Sequence, residues 1–127
     1  MKAFVIPVAG PVYEIELGAP DGELATLAQA LGGDPEILAL PAAIPGAARA
    51  VAYVNENGKG ASGRGDDTLP VNWRATLFMI PGVGLHRGDA VAGPMVLVGY
   101  DPSAGIHAAL PDSVVARMRS IEDVVGE

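Results

Sequence analysis

The run Ala90–Tyr100, AVAGPMVLVGY, constrains the fold more than any other stretch of the chain. It lacks the apolar-polar alternation of a half-solvated strand and is too apolar to be a strand exposed on both faces. Gly93-Pro94 inside it marks a bulge or bend, because proline gives up a ladder hydrogen bond. Half of the 127 residues are apolar, which suffices for one hydrophobic core. That core must be mainly aliphatic, since the aromatic residues are only Phe4, Tyr13, Tyr53, Trp73, Phe78 and Tyr100. The length reads as a single domain, residues 1–127.

Shorter elements can be placed around this run. Residues 3–8 and 12–17 read as two strands about Ala9-Gly10-Pro11; in the second, Tyr13, Ile15 and Leu17 alternate with Glu14 and Glu16. Pro7 assigns the first strand to an edge, or to a bulge. Asp21 is a candidate cap for a helix in which Leu24, Leu27, Ala28 and Leu31 recur at helical spacing, and Gly32-Gly33 ends it. A short apolar run at 36–40 and a strand at 49–55 follow. Asn72 suits a cap for a helix carrying Trp73, Leu77 and Ile80. After Pro111 a last helix, with Asp112 as its cap, places Val114, Met118, Ile121 and Val125 on one stripe. The pattern predicts an α+β fold: a small mixed or antiparallel sheet with two or three helices.

Composition excludes several functions. The chain contains no cysteine, which rules out disulfides, thiolate metal sites and cysteine nucleophiles. No apolar run approaches the ~18 residues of a membrane span. The apolar start, MKAFVIPVAGP, is short and broken, so a first strand is a better reading than a signal peptide. A net charge of −7 argues against direct nucleic-acid binding, which needs clustered Lys and Arg. From Ala3 to Ala48 six residues are acidic and none is basic. The absence of cysteine fits a reducing cytoplasm.

The glycine-rich segment at 57–70 reads as a flexible loop. Gly58 to Gly63 satisfies G-x-G-x-x-G, but the dinucleotide site requires a helix to open at once, and Arg64-Gly65-Asp66-Asp67 follows instead. No G-K-[ST] completes a phosphate loop. Arg64-Gly65-Asp66 is read as a coincidental integrin tripeptide. His86 and His107 lie in turn-like contexts without metal-ligand spacing and read as surface residues. No serine occupies a nucleophile elbow, and the sequence calls for no metal or cofactor. The polar residues that bracket the loop are the candidate site: Asn55, Glu56 and Lys59 before it, Asn72, Arg74 and Thr76 after it. If the loop folds back, Arg74 can act as a donor fork and the asparagines can orient a small polar or anionic ligand. The other reading has the asparagines capping turns and the charged residues in water.

Several segments, in order, resemble a family known as domain of unknown function 3846. They are KAFVIPV…YEIELG, a helix ending in GG, AYVNENGK, NWRAT and DAVAGPMVLVG, which together span about residues 1–100. The family occurs in bacteria, notably actinobacteria, and in their phages and mobile elements. The resemblance implies an α+β fold and an accessory role inside a bacterial cell, and it brings no established activity. Its members commonly have a shorter link between the two central motifs, so GASGRGDD looks like an insertion rather than a shared active-site element.

The leading expectation is a non-catalytic accessory protein of a phage or mobile element. It would bind a host protein or sequester a small polar or anionic, nucleotide-like molecule. On that expectation Arg74→Ala abolishes binding and leaves the melting temperature nearly unchanged. One alternative is a DNA mimic that presents Glu14, Glu16, Glu23 and Glu36 to a basic enzyme. Another is a hydrolase built on Asp or His residues. The surplus of apolar residues favours a homo-oligomer, with the strand 90–100 as a source of interface.

Overall fold

A computed structural model describes residues 1–57, 69–80 and 90–125. Strands β1 (Lys2–Ile6), β2 (Tyr13–Glu16), β3 (Pro35–Ala39), β4 (Ala50–Asn55), β5 (Met95–Asp101) and β6 (Ile106–Ala108) form one sheet in which every pairing is antiparallel. The order is β2-β1-β5-β4-β3. β6 pairs with Gly99–Asp101 of β5, beyond the stretch Met95–Leu97 that β1 occupies. The described residues also form three α-helices: α1 (Glu23–Leu31), α2 (Trp73–Phe78) and α3 (Asp112–Val125). The fold is α+β, and its sheet is antiparallel throughout.

The non-alternating run becomes the middle of the sheet. β5 pairs with β1 on one edge and β4 on the other, and a separate core covers each of its faces. Met95 and Leu97 point into a core with Ala52, Val54, Ala75, Phe78, Val114 and Met118, which seats α2 and α3. Val96 and Val98 point into a second core with Val5, Leu27, Leu31, Val51 and Tyr53, which seats α1. The alternation of side chains along a strand divides one apolar sequence between two helical layers. With both edges of β5 paired and both faces covered, this strand has no free edge to offer a second copy, whereas Leu24, Ile37, Trp73 and Ile106 remain exposed elsewhere.

Three local expectations are corrected. β1 is an inner strand that simply stops before Pro7, so the proline marks neither an edge nor a bulge. Asp21 lies in a 3-10 turn, and α1 starts from Gly22 with no side-chain cap. The run 90–100 is not one strand: Ala92 bridges to Val71, Gly93 takes a φ of 78°, and β5 begins two residues later at Met95. β6 was not anticipated at all. At Gly99 a Cβ would collide with the backbone of Ala108 and Ala109, so glycine allows the chain leaving β6 to pass close to β5.

Candidate functional site

Of the six sequence-derived candidates, Asn72, Arg74 and Thr76 come together, yet they turn toward the protein rather than toward solvent. The Asn72 side chain is fully buried. Its Nδ2 donates to Ile6 O at 2.8 Å and Gly93 O at 3.0 Å, and its Oδ1 accepts from Ala75 N at 3.0 Å, capping α2. Thr76 Oγ1 donates to Asn72 O at 2.7 Å and accepts from Val91 N at 2.9 Å. Arg74, only 5% exposed, donates through Nη2 to Pro7 O at 2.7 Å, with Nη1 3.8 Å from Glu122 of α3. The same carboxylate accepts from Val12 N at 2.7 Å. This cluster ties α2 and α3 to the chain leaving β1; of its buried side-chain groups, Arg74 Nη1 makes no hydrogen bond and has only the Glu122 carboxylate nearby.

The remaining candidates lie elsewhere. Asn55 Nδ2 donates to Leu31 O at 3.2 Å and its Oδ1 accepts from Asn57 N at 2.8 Å, which places it on the α1 side of the sheet. Glu56 is exposed. Lys59 and most of the glycine-rich segment lie outside the described residues, as do His86 and the Arg64-Gly65-Asp66 tripeptide. Among the described residues, the proposed convergence does not occur, because Asn55 and the α2 cluster serve opposite faces of the sheet.

A different group does converge. His107 on β6 is paired across the sheet with Tyr100 of β5, and its side chain is only 12% exposed. The surface position expected for it is therefore wrong. Nδ1 lies 2.9 Å from Oε1 of Glu23, the first residue of α1, and Nε2 lies 2.8 Å from the hydroxyl of Tyr53 on β4. The Tyr53 and His107 rings meet edge-on, 5.7 Å between centroids. A carboxylate, an imidazole and a phenol thus form one chain across α1, β6 and β4. They edge a pocket of about 520 Å³ whose wall also includes Tyr100, Ile106 and Met1. Mostly apolar walls with a few converging polar groups are the usual form of a small-molecule site.

Burial raises the ionisation of Tyr53 above its ordinary value, and the nearby Glu23 and Tyr100 raise it further. The phenol stays protonated and serves as a hydrogen-bonding group. On the hairpin itself, the Ser103 hydroxyl and backbone N–H lower the ionisation of Asp101. That carboxylate closes the β5–β6 turn. No pattern in the sequence could have revealed the pocket. Glu23, Tyr53 and His107 are far apart in the chain, and only the strand register unites them. A period-2 reading of β4 puts Tyr53 beside Val51 on one face and stops there.

Two other placements matter. Glu14 and Glu16 lie on β2 and Glu36 on β3, the opposite edges of the sheet, while Glu23 is engaged by His107. The carboxylates of the DNA-mimic alternative are therefore spread over the molecule rather than gathered into one stripe. Among the described residues, no helix is long and apolar enough to cross a membrane, and no three His, Asp or Glu side chains are grouped to hold a metal.

What these features define is an α+β protein with a covered antiparallel sheet and an aromatic-walled pocket beside its last hairpin. No family model, curated protein or solved structure matches the chain.

Proposed function

We propose that the chain is a non-catalytic binding protein that holds a small polar molecule in the pocket between the first turn of α1 and the β5–β6 hairpin. The observation that carries this reading is the Glu23–His107–Tyr53 chain on the pocket wall. Polar groups fixed by one another keep their geometry before a ligand arrives, so little ordering is needed on binding. The resemblance of its motifs to domain of unknown function 3846 supports an accessory role for such a protein in a phage or mobile element within a bacterial cell. Native mass spectrometry of the purified protein, with identification of anything released on denaturation, tests the reading. A metabolite carried by the native chain and lost in His107→Gln supports it. A metabolite retained by that variant places binding elsewhere.

A second reading, engagement of a host protein, has its own support on α2. The sequence placed Trp73, Leu77 and Ile80 on or just past this helix without assigning their face. They face solvent, with Trp73 63% exposed, while Arg74, Ala75, Thr76 and Phe78 fill the buried side. An exposed tryptophan with two apolar neighbours suits a protein contact. Loss of a lysate partner on Trp73→Ser, with the thermal midpoint held, supports this reading; retention of the partner removes it.

A further inference from the structure

The hydrogen bonds of the pocket have a direction. An ionised Glu23 can only accept, so the proton between it and His107 sits on Nδ1. A neutral imidazole then has Nε2 as an acceptor, and the Tyr53 hydroxyl must donate to it. With the imidazole neutral, both donors of the chain are spent internally. What it has left to offer a ligand are acceptors: the second carboxylate oxygen of Glu23 and the free lone pair of Tyr53.

The rest of the wall agrees. Among the described residues neither lysine nor arginine lines the pocket, and the Met1 ammonium is paired with Glu16, whereas Tyr53 and Tyr100 both contribute aromatic rings. A carboxylate beside tyrosine rings attracts a cation through charge and through the ring quadrupole together. Ile106 and Met1 supply apolar surface for the ligand's body.

From this arrangement we infer that the pocket selects an organic cation, an amine or ammonium group on an apolar or aromatic body, and rejects anions of the same shape. The inference rests on the pocket being the binding site. It turns the ligand class away from the anionic, nucleotide-like molecule that the sequence suggested.

Three probes of nearly one shape and different charge test it: 2-phenylethylammonium, 2-phenylethanol and phenylacetate. Each is titrated into the ¹⁵N-labelled protein while the amide resonances of Gly18, Gly105, Ile106 and His107 are followed. The ammonium should bind at least tenfold more tightly than the alcohol, with phenylacetate weakest. In Glu23→Gln, which keeps an oxygen to accept from Nδ1, the ammonium should fall to the level of the alcohol. Equal or tighter binding of the alcohol or the anion overturns the cation assignment and leaves the pocket reading intact. If none of the three probes moves these resonances, both the assignment and the pocket go.

Discussion

Two polar clusters in this molecule look alike in chemistry and differ in what their free valences face. At α2, Asn72, Arg74 and Thr76 direct their hydrogen bonds to the backbone of Ile6, Pro7, Val91 and Gly93. Beside the β5–β6 hairpin, Glu23, His107 and Tyr53 bond to one another and leave acceptors open on a pocket. The first cluster is a fastening between layers; the second has the form of a site. Residue type and nearness to a glycine-rich segment do not separate the two. The destination of each hydrogen bond does.

The largest effect should come from breaking the fastening at its centre. Asn72→Ala removes a helix cap and strands two buried carbonyls, and should cost about 3–5 kcal/mol in denaturant unfolding. A loss below about 1 kcal/mol would mean that Asn72 is not held as described. Next comes Arg74→Ala. The sequence-based expectation was an unchanged melting temperature with binding lost. The buried guanidinium bonded to Pro7 O reverses this: a loss of about 2 kcal/mol is expected, with the pocket unaffected.

On the other side of the comparison, His107→Gln should cost only about 1 kcal/mol, because the chain it interrupts is partly open to water. The double variant His107→Ala/Glu23→Ala should lose less than the sum of the two single alanine variants, since the two residues share one hydrogen bond. Full additivity would show that the bond does not form in solution. The smallest effect belongs to Asp101→Asn. The folded ionisation of Asp101 is lowered, so the carboxylate stabilises the hairpin above its ordinary value of about 4 and that contribution fades as pH falls through the folded value. Thermal midpoints across that window should therefore drop less steeply in the variant than in the parent. Identical slopes would remove Asp101 from the account.

Much of the fold could be read from the chain because its signals are local. Leu27 and Leu31 recur at helical spacing and are buried under the sheet, and Val114 and Met118 do the same in α3. The run at 90–100 required cover and received it on both faces. Other features escaped for physical reasons. Trp73, Leu77 and Ile80 obey the helical period as well as a core stripe does, but α2 is only two turns long and buries its other side. Three residues were too few for β6 to stand out, and its pairing depends on a turn fixed by Asp101 and Ser103. The pocket depends on β6, so it was hidden with it. Arg74 misled because its partner is a backbone carbonyl, which any sequence possesses.

The central claim is that ligand binding belongs to the hairpin pocket and stability to the α2 cluster. Calorimetric titration of 2-phenylethylammonium into Arg74→Ala and His107→Gln, each at a temperature where it is fully folded, tests this most directly. The account predicts parent-like affinity in Arg74→Ala despite its lowered midpoint, and at least a tenfold loss in His107→Gln. Binding lost in Arg74→Ala and kept in His107→Gln would contradict it.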